Sequence, residues 1–284
     1  MVHGAWHGAW CWRKVAELLR DRGHEVCPVD LPGHGKDPTP SYRITLGSYS
    51  QCVQKAAAKM SRPPILVGHS MGGMIVSQAA ADAPELCAAL IYVCGVIPVE
   101  GESVRGLVSM DKDSLLRSSV GFGTQGYHVR PSEAQALFYG ECSSSDAARA
   151  TSNLCSDPLV PLIQRHTVRH PVNVPKGYIE ATLDRTISVE HQRAMASRTR
   201  FQQRASLVAD HSPFLSAPHE LAEHLHSMAS LDRNDPKNDP KNDPKNDPKN
   251  DPENDPGNGP GNSSSSEASD VASQAVPHRL RTAI

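Results

Sequence analysis

Short apolar runs alternate with amphipathic stretches along the first 232 residues. In AWCWRKVAELLRDR (9–22), Trp12, Val15, Ala16 and Leu19 recur at helical spacing, and Gly23 follows as a stop. EVCPVDLPGHG reads as a short strand ending in a Pro-Gly turn, and residues 46–60 read as a second helix. PPILVGHS predicts a buried strand, MGGMIVSQAAADA a helix of small residues, and LCAALIYVCGV another strand. Strand–helix alternation of this length predicts an α/β fold, a mostly parallel sheet with helices on both faces. From about residue 97 to 171 the rhythm is lost, and polar, Gly-rich turns separate helical pieces such as SEAQALFYG and SSDAARATSNL. An insertion of that size between two strands is expected to be an inserted cap rather than a structureless loop. Alternation resumes with VPKGYIEATLD, a helix near 189–197, a strand near 204–209 and a last helix at 218–229.

The pattern stops at residue 232. Residues 233–284 begin RNDP-KNDP-KNDP-KNDP-KNDP-ENDP and run through GNGPGN into SSSSEASD. Proline at every fourth position excludes a helix, and Asn, Asp and Pro are poor in strands. With nothing apolar to bury, the tract is expected to be a disordered tail. It carries neither the glycine nor the apolar residue of calcium-binding solenoid repeats, so calcium is not expected there. This division accounts for the composition. The 284-residue chain has only 38% hydrophobic residues and as many as 23 prolines because the tail dilutes an ordinary domain over 1–232.

Charge excludes more than it suggests. With 29 basic and 31 acidic residues the formal net charge is −2, which offers no electrostatic case for nucleic acid or an anionic membrane as partner. No run of eighteen apolar residues exists to span a membrane, and the start MVHGAWHGAWCW has no secretory-signal pattern. Seven cysteines at no CxxC spacing argue against a zinc site or a disulfide scaffold. We expect a cytoplasmic protein that uses no metal or other cofactor. Its oligomeric state stays open, a dimer included.

Chemistry enters at Gly68-His69-Ser70-Met71-Gly72-Gly73, a G-x-S-x-G directly after an apolar strand and directly before a helix. A serine on a strained strand-to-helix turn needs neighbours without side chains, so that its hydroxyl projects and the helix packs closely. The helix start adds free N–H groups near the reacting centre. The bland alternative is an ordinary helix-cap serine. A nucleophilic serine needs a base, and the base an orienting acid. Downstream, YIEATLD ends a strand at Asp184 and VADHSPF places His211 just after another, both at sheet ends. Spacing alone does not separate His211 the base from His211 a satisfied surface histidine.

Four blocks together carry a resemblance: VHGAWHGAWCW, LVGHSMGG, YIEATLDRTIS followed by Gln192, and ADHSPFLSAPHELA, with LFYGECSSSDAARA in the cap. The chain resembles the plant methylesterase and hydroxynitrile lyase group of α/β-hydrolases and its bacterial esterase relatives, over about residues 1–230. The resemblance implies an α/β-hydrolase fold with Ser70 as nucleophile, His211 as base and Asp184 as acid. It implies an oxyanion hole built from the backbone N–H groups of Ala5 and Met71. Asp210, beside His211, is expected to fix the loop. Gly4, Leu137, Phe138 and Tyr139 are candidates for the substrate pocket, with core packing the equal alternative for the three cap residues.

Two positions decide within the group. The lyases carry threonine where this chain has Gly4, and lysine after the histidine where this chain has Ser212. The resemblance therefore implies a carboxylic-ester hydrolase for small, methyl or aromatic, esters. A hydroxynitrile lyase and a non-catalytic small-molecule receptor are the alternatives. A third departure concerns the start. Only Met1 and Val2 precede the His-Gly turn, against a typical strand of about 5–6 residues. So truncated, the N-terminal strand is expected to leave neighbouring backbone unpaired and to displace the Ala5 donor. We expect the reading frame to start upstream of Met1.

Overall fold

The computed structural model describes residues 1–124, 126–170 and 172–232. The tail expected to be disordered, 233–284, lies outside them. The described residues form the strands β1 (Ile65–His69), β2 (Ala89–Val93), β3 (Val120–Gly123), β4 (Gly126–Val129), β5 (Lys176–Ala181) and β6 (Gln203–Leu207). Four of these make a parallel sheet in the order β1-β2-β5-β6, while β3 and β4 pair antiparallel as a separate hairpin.

Period-two alternation sends the side chains of each central strand to two cores. Leu66, Leu90 and Tyr178 join a core on one face with Tyr49, Val53, Met74 and Ile75 from the helices Leu46–Ala57 and Gly72–Asp82. Ile65, Val67, Ile91, Val93 and Ile179 join the other with Val15, Leu19, Leu221 and Leu225 from Arg13–Asp21 and Pro218–Met228. Burying each such side chain is worth about 1.5–3 kcal/mol, so continuously apolar runs settle as strands covered on both faces. Local chemistry sets the helix ends. Thr45 and Ser48 form a reciprocal capping box, with Ser48 N–H donating to Thr45 Oγ1 at 3.0 Å and Thr45 N–H to Ser48 Oγ at 2.9 Å. Gly23, at φ +87, ends the first helix by donating its N–H to Arg20 O at 2.8 Å.

One expectation at the N-terminal side is corrected. EVCPVDLPGHG does not form a ladder strand; Val29 makes a single parallel bridge to Val2. Val2 nevertheless bridges Gly68 as well as Val29, donating to Val67 O at 2.8 Å and accepting from His69 N–H at 3.0 Å. Val2 is thus paired on both sides, and Ala5 and Ser70 line the same cavity.

Between β2 and β5 the chain carries short helices, among them Val104–Val108, Pro131–Phe138, Ser144–Ser152 and Leu159–Ile163, together with the β3–β4 hairpin. The hairpin is absent from the sequence reading, which saw only turns there. Among the described residues no helix is long and apolar enough to cross a membrane.

Candidate active site

Ser70 follows β1 directly and precedes the helix Gly72–Asp82. Its backbone stands at φ +52, in the left-handed region that costs a non-glycine residue about 1–3 kcal/mol. The turn is held because its neighbours are bare. A Cβ on Gly68 would lie 2.5 Å from Gly72 O, and one on Gly72 would lie 2.6 Å from Val2 O. Ser70 O accepts from Gly73 N–H at 3.0 Å and Val96 N–H at 2.9 Å, which fixes the strained residue from the helix and from the loop after β2.

His211 follows β6 and Asp184 follows β5, so parallel order brings both to the same sheet end as Ser70. His211 Nδ1 and Asp184 Oδ2 are 2.6 Å apart, and both side chains are buried. Asp184 Oδ1 accepts from the N–H groups of Thr186 at 2.7 Å and Ile187 at 2.9 Å. Gln192, on the helix Val189–Ser197, donates from Nε2 to Asp184 Oδ2 at 3.1 Å and to Ile187 O at 2.8 Å. With the carboxylate filled by donors, Nδ1–H is the tautomer it can accept from, which leaves Nε2 of His211 with its lone pair. Ser70 Oγ donates to no described residue.

The other histidine of the elbow braces His211. His69 Nε2–H donates to His211 O at 2.7 Å, and its ring lies 4.7 Å from that of His211. Burial, then the charge His211 can carry, pushes the His69 pKa well below the usual imidazole value, so His69 serves as a neutral strut. Asp210 points elsewhere. Its Oδ1 accepts from Ser212 N–H at 2.9 Å and Ser216 Oγ–H at 2.7 Å, and Oδ2 accepts from Glu141 N–H at 2.8 Å.

A cavity of about 490 Å³ opens on Ser70 and is lined also by Ala5, Trp6, Met71, Val96 and Ile187, and by Val104, Arg105, Val108, Leu116, Val120, Tyr127 and Leu162 from the insertion. That is the size range of small-molecule sites, and the wall is chiefly apolar. The amides of Ala5 and Met71 donate to no described residue. Gly4 does not line the cavity; it packs under Ser70, where an added Cβ would lie 2.7 Å from the serine Cβ. Leu137, Phe138 and Tyr139 are buried and are not part of the wall either. The Phe138 ring stacks 5.8 Å from that of His211, and Tyr139 O–H donates to His7 Nε2 at 2.9 Å, so these side chains support the site from behind. Sequence reading missed His7, His69 and Arg105, and it met Gln192 only as part of a resemblance. The signal available for Gln192 was its place eight residues after Asp184, one turn into a predicted helix.

The model of the alpha/beta hydrolase family matches residues 1–224. The chain belongs to the α/β-hydrolase family. It is 28% identical over 251 residues to Methylesterase 18 of Arabidopsis thaliana, covering 81% of this chain and 95% of that one. Esterase PIR7B of Oryza sativa subsp. japonica is 28% identical over 256 residues, covering 81% and 94%. Among solved structures, the pyrethroid hydrolase PytH with BIF superposes at a TM-score of 0.71 with 25% identity, over 80% of this chain and 95% of that one. The chain is a carboxylesterase-like hydrolase, and its fold is the α/β-hydrolase fold.

Proposed function

We propose that this α/β-hydrolase cleaves small carboxylic esters, methyl and aromatic esters among them, by two-step acyl transfer through Ser70. The observation that carries the reading is the shared cavity: a strained serine stands in one apolar wall with the Ala5 and Met71 backbones, and a His211–Asp184 pair at 2.6 Å closes the same sheet end. Ser70 Oγ attacks the ester carbonyl while His211 Nε2 takes its proton, and Asp184 holds the imidazole in the required tautomer. The N–H groups of Ala5 and Met71 receive the developing oxyanion, each such donor being worth about 3–4 kcal/mol. His211 returns the proton to the departing alcohol, and water repeats the sequence to release the acid. None of these steps calls for a cofactor.

Residues 97–171 act as the cap, and their apolar wall is what favours small alkyl or aromatic groups over polar ones. The lyase reading receives no support from the two positions that define it. Gly4 has no room for a threonine side chain, and Ser212 is a buried neutral residue where the lyases carry lysine. A receptor role has no specific observation in its favour.

Steady-state turnover of p-nitrophenyl acetate by wild type and by Ser70→Ala tests the reading. Loss of the serine is expected to lower kcat by at least about 10³-fold. Equal rates would remove the mechanism.

A further inference from the structure

We infer that Asp157 is a positioning residue for the oxyanion hole, holding the Ala5–Trp6 turn in its working shape from the insertion side. The inference rests on the esterase reading above. Trp6 follows the proposed Ala5 donor and stands at φ +62, a conformation that a bulky side chain adopts only at a cost. Something outside the turn must compensate, and three contacts do so, all from the insertion. The Trp6 N–H donates to Asp157 Oδ2. The Trp6 carbonyl accepts from Cys155 N–H at 3.0 Å. The indole Nε1–H donates to Tyr127 O at 3.1 Å. Tyr127 and Asp157 are themselves locked together by mutual backbone hydrogen bonds of 2.9 and 2.8 Å. Both backbone groups of Trp6 are thus held by residues some 150 positions away, and Ala5, between Trp6 and Gly4, has little freedom left.

A carboxylate suits this task better than a neutral acceptor, because a charge-assisted hydrogen bond is roughly twice as strong. Its negative charge near an oxyanion hole would be a liability if left bare. His34 Nε2 lies 3.3 Å from Asp157 Oδ1, and both side chains are fully buried. At that separation the imidazole faces the carboxylate, and a protonated His34 would offset its charge. Burial works against a protonated His34, but the Asp157 carboxylate, the Pro32 carbonyl and Asp30 together raise the His34 pKa above the usual value.

The test compares wild type, Ser70→Ala, Asp157→Ala and Asp157→Asn on p-nitrophenyl acetate, with an aryl trifluoromethyl ketone as a probe that forms the tetrahedral adduct. Asp157→Ala is expected to lower kcat about 10- to 100-fold while KM stays within about twofold, because only the transition state uses the donor. Affinity for the ketone is expected to fall by a similar factor. Asp157→Asn keeps an oxygen that accepts from Trp6 and is expected to restore kcat to within about threefold of wild type. Should the alanine variant not fold, Asp157→Ser supplies the same comparison with a hydroxyl too short to reach Trp6. Wild-type kcat in a folded Asp157→Ala or Asp157→Ser enzyme overturns the inference, as does a loss seen only in KM. Wild-type turnover by Ser70→Ala would instead sink the esterase reading itself, so the two failures are distinguishable.

Discussion

From Ile65 to Ala81 every residue is buried, and the path of the chain is set by backbone meeting backbone. Between β2 and β5 the helices run to nine residues at most, and Met110, Phe122, Val160 and Ile163 stand exposed. Both regions border the same cavity, but their shapes are fixed differently. In the elbow, missing side chains decide the geometry, since Gly68 and Gly72 admit no Cβ. In the insertion, a few polar side chains reach across to the sheet: Asp157 to Trp6, Tyr139 to His7, and Thr186 Oγ1 on the sheet side to Leu137 O at 2.8 Å. A site built this way keeps Ser70 rigid while its pocket wall is free to vary with loop sequence.

The contrast is sharpest in Asp184→Asn. The backbone N–H groups of Thr186 and Ile187 hold this position whatever the side-chain charge, so geometry persists while the tautomer preference is lost. The expected outcome is a fall in kcat of about 10⁴-fold on p-nitrophenyl acetate. Next in size is Gly68→Ala, which drives a Cβ to 2.5 Å from Gly72 O. Backbone cannot give way there, and urea unfolding is expected to show a loss of about 3 kcal/mol.

Acid probes the seam between the two regions. His7 Nδ1–H donates to Ala5 O at 2.8 Å, and its Nε2 accepts from Tyr139. Burial lowers its pKa to about 3, so the folded protein keeps it neutral where the unfolded chain, at about 6.5, takes up a proton. Stability is therefore flat above pH 6.5 and is expected to fall by about 1.4 kcal/mol per pH unit below it for this residue alone. His3 and His69, also depressed by burial, act in the same direction. Thermal midpoints measured from pH 7.5 to 5 should show a shallower decline in a folded His7→Gln variant. The smallest effect is expected from Phe122→Ser, where the ring is 65% exposed on the β3–β4 hairpin; its midpoint should imply a change within about 0.5 kcal/mol.

Legibility followed the same divide. The apolar runs ILVGH and ALIYV became β1 and β2 because residues of both parities have a core to enter. The helix read at 189–197 has those bounds in the structure, since Ser188 caps it locally by accepting from His191 N–H at 3.2 Å. The hairpin at 120–129 was not legible, because two four-residue strands rich in glycine leave no period to read. Leu137, Phe138 and Tyr139 were legible as apolar, which says that they are buried but not against what.

The sequence by itself determined the strand–helix order and the glycine-framed turn at Ser70. These follow from local periodicity, turn chemistry and a few adjacent residues. Only the tertiary structure decided which side chains face the cavity, that Gln192 and His69 brace Asp184 and His211, and that Asp157 grips Trp6. Those contacts join residues 8 to 151 positions apart, and whether two such groups meet depends on how the layers pack rather than on any pattern along the chain.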